Sequence, residues 1–104
     1  MKITKSMYYK EDENSRELML FTVNESLLYS RCITPAIKNL HRKFLKGTFD
    51  VDRAVEMFYY VATDAAKEYN KIFLASDYTF SVTTRWTTAK NLLDYYMQDI
   101  TEEE

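Results

Sequence analysis

Two side chains of this sequence, a lone cysteine and a lone histidine, are the natural starting point for any chemistry. Cys32 and His41 are nine residues apart. A cysteine next to a histidine can act as a nucleophile with its base, but such a pair needs a third group to orient it. No orienting partner is evident, and a lone cysteine on a helix is usually a small apolar residue. We expect Cys32 to pack in the core and His41 to lie on the surface in a basic cluster.

Most site classes are excluded because the residue types they require are too few. A zinc site needs three or four Cys, His or acidic ligands, and one Cys and one His cannot supply the usual set. Gly47 is the only glycine, which excludes a P-loop, a dinucleotide-binding turn and a nucleophile elbow. The acidic residues Asp50, Asp52 and Glu56 open a predicted helix, where its dipole favours negative charge. We therefore predict no metal, no cofactor and no enzymatic activity, with a carboxylate acid/base pair as a remote alternative.

One segment stands out by its charge. From Arg31 to Lys46 there are five Lys or Arg residues and no Asp or Glu. Lys38, Arg42 and Lys46 recur every four residues and so share one helical face. Such a face could bind phosphates or an acidic protein surface. The other interpretation is a solvated helix end, whose positive charge complements the dipole of its own helix or pairs with the acidic segments of the chain. The predicted binding residues are Lys38, His41, Arg42, Lys43 and Lys46.

A second polar surface is offered by the last predicted helix. Its candidate DNA-reading residues are Thr83, Thr84, Arg85, Thr87, Thr88 and Lys90. A helix-turn-helix normally has a short, glycine-containing turn before the reading helix. That turn is missing, which weakens this interpretation.

Length and composition favour one small helical domain. The chain has 104 residues, of which 46% are hydrophobic, and only one glycine and one proline. Few turn residues favour a handful of helices over many short strands. The net charge of −2 is not typical of a nucleic-acid-binding protein. A single cysteine favours an intracellular compartment, and we expect no signal peptide and no membrane span.

Hydrophobic periodicity predicts an all-α, compact bundle of about four helices. The apolar run Leu18–Val23 would also suit a buried strand, but no second strand is available to pair with it. We expect Ser15, Asn24, Asp50 and Ser81 to begin helices as N-caps, Pro35 to break or kink the second one, and Gly47 to end it. The predicted helices span residues 15–23, 24–46, 50–73 and 81–100.

The predicted domain organisation is a flexible arm (1–14), a single helical domain (15–100) and an acidic tail (101–104). The third helix carries the most regular stripe, with apolar residues alternately four and three positions apart. Its alanines at 62, 65 and 66 would let another helix approach closely. The apolar face predicted for the fourth helix consists of Val82, Trp86, Ala89, Leu93, Met97 and Ile100, with Tyr96 beside it.

The stretch from Glu17 to Tyr69 carries a family resemblance. Its residues are Glu17-Leu18, Asn24, Leu28-Tyr29, Pro35, Lys38-Asn39-Leu40, Arg42-Lys43, Lys46-Gly47-Thr48-Phe49-Asp50, Tyr60 and Ala65-Ala66-Lys67, with Phe80-Ser81-Val82-Thr83-Thr84-Arg85 as a weaker continuation. In these positions the chain resembles a group of small, uncharacterised proteins encoded by tailed bacteriophages and prophages. Phe49 departs from the tyrosine expected there. The resemblance implies a phage origin and the cytoplasm of a host cell, and it implies no activity.

These observations lead to two functional hypotheses. The first is a non-enzymatic phage accessory protein that binds a host or phage protein as an inhibitor of a host process. Nine tyrosines support it, because aromatic residues are enriched at interfaces. The alternative is a nucleic-acid-binding regulator that uses the basic helix face. The regular stripe on the third helix also leaves a homodimer open, although it suits the core of a monomer better.

Overall fold

The computed structural model describes residues 13–73 and 80–102, and all regular structure in these ranges is helical. The helices are α1 (Glu13–Asn24), α2 (Ser26–Leu28), a π-helical turn (Tyr29–Ile33), α3 (Thr34–Leu45), α4 (Val51–Ile72) and α5 (Val82–Thr101). Because α2, the π-helical turn and α3 follow one another directly, the chain forms a compact bundle of four helical units. The predicted all-α bundle is confirmed. Most of the predicted arm, residues 1–12, most of the predicted loop, 74–79, and residues 103–104 lie outside the described residues.

Three of the predicted helix boundaries are confirmed, two by side-chain hydrogen bonds that cap a helix and one by a backbone angle. The Asp50 carboxylate accepts from the backbone N–H of Asp52 at 2.9 Å and caps α4. The Ser81 hydroxyl accepts from the backbone N–H of Thr84 at 3.0 Å and caps α5. Gly47 ends α3 with a φ of 76°, a left-handed conformation that residues with a side chain rarely adopt.

Two predicted caps are wrong. Ser15 lies within α1 and is fully buried. Because the backbone is already helical at Glu13, Ser15 serves as a small core residue, and its carbonyl oxygen lies 3.3 Å from the Thr88 hydroxyl oxygen of α5. Asn24 is the last residue of α1, and Glu25 caps α2 in its place. Among the described residues, α1 begins at Glu13, two residues before the start predicted at Ser15.

The regular α-helix is interrupted just before Pro35, as predicted, and Pro35 lies in the first turn of α3, although the chain stays helical through the interruption. The residues before it keep helical backbone angles, with φ −58° and ψ −47° at Thr34. The Thr34 N–H bonds to the carbonyl of Tyr29, five residues back. Proline lacks an N–H and its ring collides with the carbonyl four residues earlier in a regular α-helix. The wider π-helical turn directly before α3 accommodates the ring.

The core consists of two clusters of buried side chains. The larger cluster joins the π-helical turn, α3, the first half of α4 and α5 around Phe58, Leu40 and Leu93. The smaller cluster joins α1, α2 and the second half of α4, where Ala62 and Ala65 let Leu18 approach closely. The regular stripe predicted on α4 is confirmed up to Tyr69, whereas Ile72 at its end is exposed.

The prediction for α5 is only partly correct. Ala89, Leu93 and Ile100 are buried as expected, but Val82 is 53% exposed. Since α5 contacts α1, α3 and α4, it is buried over a broader surface than one apolar stripe. Additional buried residues of this helix are Thr84, Thr87, Thr88, Leu92 and Tyr96.

Candidate functional site

The three cations spaced four residues apart on α3 form one exposed face, as predicted. Lys38, Arg42 and Lys46 are all exposed, while Ala36 and Leu40 bury the opposite side of the helix. Within residues 13–73 and 80–102, no carboxylate lies within 4.0 Å of the charged group of any of the three. We call these three residues the basic row.

An apolar side chain lies at the end of the basic row. Leu45 precedes Lys46 and is 59% exposed, so the row combines positive charge with apolar surface. Lys43 is only half exposed and follows Arg42 by one position, which turns it about 100° away from the row. Its carbonyl accepts from the backbone N–H of Thr48 at 2.9 Å. Lys43 therefore belongs to the end of α3 and borders the row without being part of it.

His41 is not the free surface residue that was expected. It is half-buried, and its Nδ1 lies 2.7 Å from the carbonyl oxygen of Ile100. A carbonyl only accepts, so Nδ1 carries the proton and donates it. The bond joins α3 to the last turn of α5 and satisfies a carbonyl that the helix itself leaves without a partner. His41 therefore fixes the position of the helix that carries the basic row.

Acidic residues border the basic row on one side. Lys38 and His41 share a recess of about 220 Å³ with Ile37, Asp99 and Glu102. The carboxylates come from the end of α5, and neither forms an ion pair with Lys38. The positive surface is therefore a narrow stripe with negative charge next to it, not a broad basic patch.

Cys32 is half-buried and packs against both clusters of the core. Burial raises the pKa of its thiol, and the negative charge of Asp64 raises it further, while Arg31 acts in the opposite direction. A raised pKa keeps the sulfur protonated at neutral pH, whereas a nucleophilic cysteine needs a lowered one. The surroundings of Cys32 thus favour the packing role predicted for it. Over the described part of the chain, no three Cys, His, Asp or Glu side chains converge as metal ligands would.

A second surface was not predicted from the sequence. Between α1 and the end of α4 lies a groove of about 360 Å³, lined by Glu17, Leu20, Phe21, Asn24, Glu25, Tyr69 and Phe73. We call it the α1–α4 groove. Leu20 and Phe21 belong to the apolar run Leu18–Val23, whose length and composition are those of a core segment, but Leu20 is 56% exposed and Phe21 only partly buried. A signal existed in the spacing: Leu20 shares a helical face with Glu13, Glu17 and Asn24, which is otherwise polar.

The DNA-reading surface proposed for α5 does not exist in the form predicted. Thr84, Thr87 and Thr88 are buried. The Thr88 hydroxyl donates to the carbonyl of Thr84 at 2.9 Å, which satisfies it inside the helix. Arg85 lies over the ring of Tyr59, with the guanidinium carbon 5.4 Å from the ring centre. Buried threonines cannot contact the edges of bases, so this part of the nucleic-acid alternative fails.

Comparisons with protein-family models, curated proteins and solved structures give no significant match for this chain. The resemblance to phage proteins consequently stays a prediction from the sequence. In the part of the chain that the structure describes, no helix combines the length and the apolar character needed to cross a membrane.

Proposed function

We propose that this chain is a non-enzymatic phage accessory protein that binds an acidic surface of a host or phage protein in the host cytoplasm and inhibits a host process. The observation that supports this most directly is the exposed basic row on α3, whose cations form no ion pair with any described residue and which ends beside the exposed side chain of Leu45. Complementary charge guides association and selects partners. An adjacent apolar side chain supplies the desolvated contact on which affinity depends.

The surroundings of the basic row favour a protein partner over a nucleic acid. Asp99 and Glu102 lie beside Lys38, where they would repel a neighbouring phosphate. A nucleic-acid surface is usually broadly positive, because affinity grows with the number of phosphates neutralised. A protein surface can match a narrow positive stripe and the negative charge next to it.

The proposal is tested by capturing partners from a bacterial lysate with the tagged protein, before and after nuclease treatment. The test variant carries Lys38→Glu, Arg42→Glu and Lys46→Glu. Its matched control carries Arg53→Glu, Lys67→Glu and Lys71→Glu, three exposed cations of α4, so both variants change the net charge equally. We expect one stoichiometric, nuclease-resistant partner that the control retains and the test variant loses.

Other results of the same experiment would contradict the proposal. Capture that disappears with nuclease, together with a salt-dependent gel shift that the test variant lacks, would assign the basic row to nucleic acid. A partner that both variants retain would place its binding surface elsewhere on the molecule. Circular dichroism of both variants verifies that the helices are intact.

A further inference from the structure

We propose that the α1–α4 groove is a second, separate binding site, and that it takes a cationic amphipathic helix of a partner protein. This inference does not depend on the function proposed for the basic row. It follows from the aromatic floor of the groove, its exposed apolar side chains and its two carboxylates.

The floor of the groove is a preformed cluster of aromatic rings. The ring centres of Phe21 and Tyr69 are 5.3 Å apart, and those of Tyr69 and Phe73 are 4.6 Å apart. Phe80 is buried and lies edge-on to Tyr69, with ring centres 5.1 Å apart. Rings in mutual contact have little freedom left to lose, so a partner would meet an apolar surface that is already ordered.

Two apolar side chains of the groove remain available for contact. Leu20 is 56% exposed and Phe73 is 58% exposed. Single exposed apolar residues are common on protein surfaces, but apolar residues gathered in a recess indicate a binding site. A groove between two helices suits an amphipathic helix, which would place its apolar side chains on this floor.

The charge of the groove selects the partner. Glu17 accepts a hydrogen bond from the Tyr69 hydroxyl, and Glu25 accepts from the backbone N–H of Leu27 at 3.4 Å. Both carboxylates are thus held at the edge of the groove. Neither has a Lys or Arg partner within 4.0 Å among the residues described. The groove therefore places two carboxylates beside exposed apolar side chains. Such a surface is complementary to a helix with a leucine-rich face and flanking lysines or arginines.

A model peptide provides the direct test. The probe is a fluorescent 14-residue amphipathic helix made only of leucine and lysine, and its control replaces each lysine by glutamate. Binding to the full chain is measured by fluorescence anisotropy at low and at physiological salt. We expect saturable binding of the lysine peptide only. Leu20→Ser should weaken it about fivefold or more, as loss of an apolar anchor does.

A matched variant separates the groove from general attraction to an acidic protein. Leu45→Ser removes an equally exposed leucine from α3, and it should leave the affinity for the lysine peptide unchanged. Glu17→Gln and Glu25→Gln retain an oxygen that can accept the hydrogen bonds described above. Each should weaken binding and reduce its dependence on salt, because a charge pair has been removed.

Three outcomes would overturn the inference. One is equal binding of the lysine peptide by Leu20→Ser and Leu45→Ser, and another is binding of the glutamate peptide as tightly as the lysine peptide. Alternatively, sedimentation equilibrium of the chain alone could show a dimer that Leu20→Ser abolishes, in which case the occupant is a second copy. Glu17, Leu20 and Glu25 line the α1–α4 groove and lie outside the basic row and Leu45, so their effects on peptide binding are independent of the lysate experiment.

Discussion

The basic row and the α1–α4 groove are opposite in charge but similar in apolar exposure. Leu45 beside the row and Leu20 in the groove are 59% and 56% exposed. The row is built by one helix, and its cations are exposed, with no carboxylate within 4.0 Å among the described residues. The groove is built by two helices, and its carboxylates are held by Tyr69 and by the start of α2. One surface thus depends on spacing along the chain, whereas the other depends on how α1 and α4 pack.

The two surfaces also rest on different parts of the core. The larger cluster, around Phe58, lies beneath α3 and so supports the row, while the smaller cluster of alanines and Leu18 lies beneath the groove. Substitutions that act on one cluster at a time therefore reveal whether the surfaces fold together or separately.

Truncation of Phe58 should have the largest effect. The ring is fully buried and stacks on Tyr96, with ring centres 6.2 Å apart. Phe58→Ala removes this contact and leaves a cavity, which should cost about 3–5 kcal/mol of the free energy of unfolding. Urea unfolding followed by circular dichroism measures the change. Tyr60→Ala is the control, because Tyr60 is 61% exposed on the same helix and should change the free energy little.

Enlargement of Ala65 tests the other cluster. Ala65 is fully buried between α4 and the residues of α1 and α2. Ala65→Leu has to push α1 away from α4, which should cost about 1–3 kcal/mol. Binding of the lysine peptide to the α1–α4 groove should weaken as well, whereas the basic row should retain its partner. If Ala65→Leu abolished both peptide binding and partner binding, the two surfaces would not be structurally independent.

High pH should destabilise the larger cluster through Tyr96. Burial raises the pKa of the Tyr96 hydroxyl from 10.0 to about 12, with a smaller contribution from Tyr95. Between these values the unfolded chain has released the proton and the folded chain still holds it. The free energy of unfolding should therefore fall as pH rises from 10 towards 12, by roughly 1–2 kcal/mol from this group.

Comparison with Tyr96→Phe isolates the effect of Tyr96 from that of the other titrating groups. The variant retains an aromatic ring for the stack with Phe58 but has no proton to release. Its stability in urea should decline less steeply between pH 9 and pH 11.5 than that of the wild type. Equal slopes for the two proteins would show that the hydroxyl is not desolvated.

The parts of the fold that could be predicted from the sequence are those encoded by short-range patterns. The helix starts at Asp50 and Ser81 and the helix end at Gly47 depend only on residues a few positions away. The stripe on α4 follows a regular period. The basic row belongs to the same class, since its members are neighbours on one helix. Four helices and one exposed face followed from such patterns alone.

The features that were missed depend on contacts between distant segments. Thr87 and Thr88 are buried because α5 lies between three other elements, which no local period indicates. His41 bonds to Ile100, 59 residues away. The α1–α4 groove needs Phe21 of α1 to meet Phe73 at the end of α4, 52 residues later in the chain. The interruption of the regular α-helix before Pro35 was predicted, but its form, a π-helical turn, was not.

Serine substitutions at the two exposed leucines should have the smallest effect on stability. They bear most directly on the difference between the basic row and the α1–α4 groove. Leu20→Ser and Leu45→Ser remove side chains that already contact water, so each should change the free energy of unfolding by less than about 0.5 kcal/mol. Urea unfolding of both variants measures this. If Leu20→Ser cost as much as a core substitution, Leu20 would be part of the smaller cluster and the groove would not be a free surface. Equal, small effects would leave the two leucines as matched probes, each reporting on the binding surface that surrounds it.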